Sequence, residues 1–496
     1  MGSRIWQGIT LLVVGVLLAG LGAGIARRTT PTTLTARPTQ PVTDDPQLAI
    51  NTNTSPVVVA DPRRPDVLVA AGRVDAPRLN CTVSVSSSGG EAWRRLDLPL
   101  PAGAANCFWP DVAFDDDGGV LVLYTPTSGP FELPDSLWLQ HFSAEFAPTG
   151  PATRVAGALT FQPRLAIGGG RVLVAWIQAA RERAEKSLGF PSPPNPVVLA
   201  ASDDGGHTFS APVTVGEAAR LTVQPSVLAL SGGRVLVGAL DLGDDRETYE
   251  TTHQGVPGPA PTVRWRIVAW TSGDGGRTFG AAVVVSDAVV PTQRVLIDVG
   301  PAPAFAVDPG SERIYAAWES GHDVLLSRSV DGATSWSPPR PVGPTKGSQF
   351  LPGIGVGPDG RVDVAYYDRS RDPTDVLADV VMASSSDGGR SFTTAVVSGQ
   401  PFDATVGSFN GDTIMLGSHL AVLAGDHRST IVWPDTVRGN RVNNIVDLVS
   451  ATVNAGHGPR VAARAILVVG VLLALLGGAL TARSWPGRGA ARGRSS

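Results

Sequence analysis

Charge is scarce in this 496-residue chain: 17% of residues are Asp, Glu, Lys or Arg, and the formal net charge is −4. Soluble domains carry about a quarter charged residues. The near balance excludes a basic nucleic-acid binder and an acidic solvating chain, so no nucleic-acid partner is expected. Lysine stands only at Lys186 and Lys346, and arginine supplies the other basic residues, as GC-rich coding favours. Two cysteines exclude a disulfide-dense scaffold, and no zinc-type spacing occurs. No metal or cofactor is expected. Gly (58) and Pro (41) make up a fifth of the chain, which disfavours a mostly helical protein. At roughly 150 residues per domain, the length admits three domains or one large repeat fold.

Uncharged apolar runs are confined to the two ends. Ile9–Ala26 and Ala465–Ala482 are each 18 residues, about 27 Å as helices, and both contain the heptapeptide VVGVLLA. They read as transmembrane helices, and Gly15 and Gly470 suit close packing of an antiparallel pair. The first run is either an uncleaved anchor or a cleaved signal peptide, because Arg4 precedes it and small residues lie between Ala19 and Ala26. Arg483, Arg488, Arg492 and Arg494 follow the second run with no acid among them, which places the C-terminus in the cytoplasm. The expected organisation is an anchor at 1–28, a Thr/Pro-rich stalk at 29–43 and a body at 44–453. A linker at 454–464, a transmembrane helix at 465–482 and a basic cytoplasmic tail at 483–496 follow. The body is then extracytoplasmic, a compartment in which Cys81 and Cys107 are either disulfide-bonded or a free buried pair.

The body repeats itself. Ser-x-Asp-Gly-Gly-x-Thr-aromatic stands at Ser202–Phe209 and Ser272–Phe279, with close variants at Ser385–Phe392 and Ser329–Trp336. Ser86–Trp93 is a worn copy with Ser88 in the Asp place. Intervals of 70, 57 and 56 residues separate Asp204, Asp274, Asp331 and Asp387, whereas 116 separate Ser88 from Asp204. One unit has therefore lost its motif, and it should centre near Glu145 in HFSAEF. These Asp residues read as structural: each carboxylate caps the amides of its own hairpin turn, and the final aromatic packs between sheets.

A second mark is independent of the first. A proline opens an apolar run at Pro46, Pro110, Pro163, Pro225, Pro303 and Pro352; a Gly-rich turn and a second apolar run follow. A third and a fourth strand flank the Asp-containing turn. Four strands per unit at this period predict an all-β, seven-bladed β-propeller, with six blades as the fallback. Residues 407–453 supply three strands of the seventh blade, and chain just before Asp44 is expected to supply the fourth.

These turns resemble the Asp-box, or bacterial neuraminidase, repeats of the sialidase-like propeller superfamily, and the resemblance spans the body. It implies the fold, and it admits glycoside hydrolases, lectin-like receptors and assembly factors alike. In the sialidases themselves it implies a Tyr nucleophile, a Glu beside it, an Asp acid/base and three substrate-binding arginines, the first in Phe/Tyr-Arg-Ile-Pro of the first blade. That motif is absent here: Phe161–Arg164 reads FQPR, the wrong order in the wrong blade. No catalytic residue transfers.

Hairpin geometry puts the repeated prolines and the ends of the second runs on one rim, opposite the Asp-containing turns. Candidate rim residues are Asp111, Arg164, Asp241, Glu319, Tyr366, Tyr367, Asp368, Arg369 and Asp435, joined by Gln47, Gln178 and the insertions Gln178–Asn195 and Asp241–Thr262. They are expected to form a mostly acidic mouth; its oxygens suit Ca²⁺, although spacing alone does not indicate an ion. The functional expectation is a membrane-anchored, extracytoplasmic, non-catalytic propeller. It would bind a glycan or envelope protein on its outward rim. The alternatives are a sialidase-like glycoside hydrolase and a cell-envelope scaffold.

Overall fold

The computed structural model describes residues 9–18, 33–43, 45, 51–128, 133–134, 136–179, 195–217, 220–244, 264–290, 302–410, 413–456, 468–476 and 479. They form two compact units. One comprises Leu34–Ala455; the other comprises the flanking ends.

The first unit is a seven-bladed β-propeller. Blade 1 is Thr52–Ala60, Leu68–Ala76, Asn80–Ser86 and Arg94–Arg95. Blades 2 to 6 repeat the order, with inner strands Asn106–Phe114, Thr160–Gly168, Leu221–Ala229, Ala304–Val307 and Gln349–Val356. Blade 7 has Ala421–Ala424, Arg428–Asp435 and Asp447–Ala455. Its fourth strand comes from the other end of the chain. Leu34–Ala36 pairs antiparallel with Ala455–Val453, and Gln40–Pro41 pairs with Ser450–Val449. Residues expected in a stalk therefore close the ring. The described inner strands touch their neighbours around the whole circle, blade 7 against blade 1 included.

Two boundaries differ from expectation. Pro46 and the apolar run after it lie outside the described residues, except that blade 1 itself opens at Thr52, with its proline at Pro56. The last strand runs to Ala455, beyond the expected start of the linker.

The core lies between blades, because both faces of each sheet are covered by neighbours. One apolar cluster joins Val69 and Val83 of blade 1 to Val112 and Tyr124 of blade 2. Others join blades 2 and 3, 3 and 4, 5 and 6, 6 and 7, and 7 and 1. Cys81 of blade 1 and Cys107 of blade 2 are disulfide-bonded across their seam, with Cα atoms 5.5 Å apart.

The repeated turns join third to fourth strands. In blade 3 the Asp204 carboxylate accepts from the amides of His207 (3.0 Å) and Thr208 (2.9 Å) and from the Ser202 and Thr208 hydroxyls (both 2.6 Å). These bonds, led by the hydroxyls, hold its carboxyl well below the ordinary carboxylate range. Asp274 is held the same way, and Asp331 is drawn down to about 2, chiefly by Ser335. Asp387 is also lowered: burial, the largest influence, pushes up, but its hydrogen bonds together outweigh it. The worn copies keep the geometry. Ser88 Oγ accepts from the Ala92 amide (3.0 Å). In the unit without a motif, Ser143 Oγ bonds Glu145 and Phe146 takes a left-handed φ of 67° where the others have glycine. The closing aromatics Phe209 and Phe279 pack into the seams between blades 2 and 3 and between blades 3 and 4.

In the second unit residues 9–18 and 468–476 are helical. Among the described residues no helix is long and apolar enough to cross a membrane; the remainder of each 18-residue run lies mostly outside them. Gly15 sits against the backbone of Gly470 and Ala474, where a Cβ would have no room.

Candidate functional site

A backbone irregularity builds the site. In blades 1, 2, 3, 4 and 6 the inner strand slips register across an X-Pro pair: between Thr54 and Val57, Phe108 and Asp111, Phe161 and Arg164, Val223 and Ser226, and Phe350 and Gly353. The residue before each proline has a φ of 47–54°: Ser55, Trp109, Gln162, Gln224 and Leu351. Proline has no N–H for the ladder and keeps its predecessor out of the right-handed helical region, which favours a bulge at that step. Positive φ at a bulky residue costs of order 1–3 kcal/mol and is retained where surrounding contacts enforce it.

The enforcing contacts come from neighbouring blades. The Gln224 amide donates to Gln162 Oε1 (2.7 Å), the Leu351 amide to Glu319 Oε2 (3.1 Å), and the Ser418 amide to Ser55 Oγ (2.9 Å). Asp111 Oδ2 accepts from the Leu165 amide (2.9 Å). In blades 3, 4 and 6 a backbone donor at the bulge is capped by a side chain of the preceding blade, and the blade 1 bulge itself caps the Ser418 amide.

The bulges turn side chains towards the propeller axis. Ser55, Trp109, Gln162 and Gln224 line a small chamber with Arg73, Arg164 and His419. The chamber meets an axial cavity of about 350 Å³ at Arg164, Gln224 and His419. Arg73 is fixed by an ion pair to Asp75 (2.9 Å), a bond to Thr54 Oγ1 (3.0 Å) and stacking over Phe108. Arg164 makes no hydrogen bond or ion pair among the described residues. Burial and the nearby Arg73 lower its pKa, and only the Asp111 charge opposes them. His419 Nδ1 lies 2.8 Å from Ser418 Oγ. Burial first, then Arg164 and Arg73, hold the His419 pKa well below the ordinary histidine value, so the ring is neutral at pH 7. Gln162 is 4% exposed; its oxygen is committed to the Gln224 amide, which fixes the amide's orientation and leaves Nε2 a buried donor without an acceptor.

Of the sequence candidates, Asp111 and Arg164 reach this cavity. Burial pushes the Asp111 carboxyl up, against Arg164 and the amides of Leu165 and Val112. The other acids are engaged elsewhere, and they do not make an acidic mouth. Asp241 is held by Arg220 (3.0 Å), Arg266 and the Gly243 amide. Glu319 caps Leu351 as above. Asp368 accepts from the Ser370 amide (2.6 Å) and Asp435 from the Val437 amide (2.7 Å). Arg369 is buried over the Phe350 ring, 3.6 Å from Asp375. Tyr366 and Tyr367 are fully buried rather than on the rim. Tyr367 stacks on Phe350 and donates to the Pro434 carbonyl (3.0 Å). Burial raises both phenol pKa values. No cluster of three metal-ligating side chains occurs among the described residues. Gln178 is bonded to backbone carbonyls including Ala158 (3.1 Å). Gln47 and most of both long insertions lie outside the described residues.

Ser55, Arg73, Trp109, Gln162, Gln224, Ser418 and His419 were not among the sequence candidates. The usable signal for Trp109, Gln162 and Gln224 was the position before a repeated proline, and Ser55 stands likewise before Pro56.

No protein-family model matches the chain, and no curated protein matches it in sequence. Among solved structures it is similar to a protein of unknown function from Dyadobacter fermentans, at 12% identity and TM-score 0.45, covering 85% of this chain and 99% of that one. It is also similar to a Penicillium chrysogenum α-L-arabinanase complexed with arabinobiose, at 14% identity and TM-score 0.44, covering 85% and 98%. A Hadza microbial sialidase is similar at 13% identity and TM-score 0.41, covering 82% and 65%. The assignment of seven blades rests on the strands described above.

Proposed function

We propose that this chain is a membrane-anchored, extracytoplasmic propeller that binds an anionic group of a glycan or protein partner at its axial mouth and does not transform it. The observation that carries the binding reading is the pair of donors there: the half-buried Arg164 guanidinium and the buried Gln162 Nε2, neither of which has an acceptor among the described residues. A buried donor left unsatisfied costs about 1–3 kcal/mol, which a bound carboxylate, sulfate or phosphate would offset. The engaged rim acids and the buried Tyr366 and Tyr367 favour binding over glycoside hydrolysis, which needs an accessible nucleophile or carboxylate pair.

On a glycan array the full-length protein is expected to retain acidic glycans, and Arg164→Ala to lose at least tenfold in signal. Retention of neutral glycans, unchanged by that substitution, would refute the binding reading. Turnover of a fluorogenic sialoside would replace it with the hydrolase alternative.

The anchoring part is supported by the two uncharged runs, the arginines after the second, and the exposed Val16, Leu17, Leu472 and Leu475. Alkaline carbonate should leave the protein in the membrane pellet, and protease added to intact cells should cut the body. Release by carbonate would sink the anchor.

A further inference from the structure

The axial cavity changes character away from its mouth. Beyond Arg164 its wall is built from Val57, Val59, Leu228, Phe305, Ile354 and Val422, which are apolar side chains of the inner strands of blades 1, 4, 5, 6 and 7. Sugar hydroxyls placed against those side chains would gain no partners from them. An apolar group placed there gains instead. A dry apolar cavity of about 150 Å³ takes benzene, and this one is about 350 Å³, within the usual range for small-molecule sites.

One end of the same cavity holds Arg164 and the adjoining chamber holds Gln162 Nε2, both without an acceptor among the described residues. The Asp111 carboxylate lines that end too, but its two oxygens are committed to the Val112 and Leu165 amides, so the Arg164 guanidinium is the group left to take the acidic end of a ligand whose other end is apolar. We propose that the axial cavity binds a monoanionic amphiphile, its acid group on Arg164 and Gln162 Nε2 and its alkyl or aryl part along the axis. This rests on reading the mouth as a ligand site, and it names the ligand class.

The wall and the mouth make separable contributions. Each methylene buried along the axis contributes about 0.8 kcal/mol, or about fourfold in affinity. The acid group contributes the same amount to every member of a series.

Calorimetric titration of the full chain in lipid nanodiscs, blanked against empty nanodiscs, tests both with butanoate, hexanoate, octanoate and glucuronate. Affinity is expected to rise about fourfold per methylene, glucuronate to bind no better than butanoate, and Arg164→Ala to weaken every carboxylate at least tenfold. Val59→Trp, which fills the shaft, should flatten the series and spare butanoate; should that variant fail to fold, the wild-type series alone decides. A flat wild-type series with Arg164-dependent glucuronate binding would overturn the amphiphile and leave the mouth intact. Carboxylate binding insensitive to Arg164→Ala, or none, would overturn both.

Discussion

Arg361→Ala is expected to destabilise the propeller by about 3–5 kcal/mol, the usual consequence of removing one partner from a buried ion pair. Arg361 is 3% exposed and Asp363 beside it is fully buried, with Nε 3.0 Å from the carboxylate. The rest of the guanidinium reaches across the seam into blade 7. It donates to the carbonyls of Gly425 (2.9 Å) and Asp426 (3.1 Å) and to Ser429 Oγ (3.0 Å). Alanine strands the Asp363 charge in the seam and orphans the blade 7 carbonyls. The urea midpoint should fall with little change in slope. Arg361→Met combined with Asp363→Leu removes both charges together and should recover most of the loss. If the double variant is as unstable as the single one, the shape of the seam and not its charge holds blades 6 and 7 together.

The second large effect is at the Cys81–Cys107 disulfide. It closes a 26-residue separation that spans two blades, and for a loop of that size the chain-entropy relation gives about 3.5 kcal/mol. Cys81→Ala with Cys107→Ala should lower the urea midpoint accordingly, and reductant should shift the wild type towards the double variant while leaving that variant unmoved. Equal midpoints for the two proteins under oxidising conditions would show that the apolar seam around Val83 and Val112 suffices. Cys107 lies one residue before Phe108, whose ring stacks with Arg73, so the loosened seam should also weaken carboxylate binding at the mouth.

The propeller was legible in the sequence because its two marks, the Asp-containing turn and the repeated proline, act locally and recur. Even the unit that has lost the motif was placed correctly, at Glu145. The mouth was legible only in part, for a geometric reason. A bulge breaks the register at the X-Pro step, so a count along the chain does not show that the residue before the proline also turns to the axis. Asp111 and Arg164 follow their prolines and still reach the cavity, whereas Gln162 and Gln224 precede theirs and were passed over. Arg73 enters from a second strand and carries no repeat signal. Tyr366 and Tyr367 show the converse error. Consecutive strand residues face opposite sides of a sheet, but here neighbouring blades cover both sides, so an aromatic pair at a strand end is buried twice over. Asp241 and Asp435 were read as a charged mouth when they are the acceptors that finish their own strands.

The pairing of Leu34–Ala36 with Ala455–Val453 also bears on biosynthesis. A chain emerging from the ribosome amino end first can assemble six blades in turn, yet the strand that will seal the circle must wait, unpaired, through some 400 residues of elongation. Until its partner is made, it is an open edge beside an incomplete toroid. The seventh blade is thus a checkpoint for completeness: a transcript cut short anywhere upstream yields a protein that cannot shut.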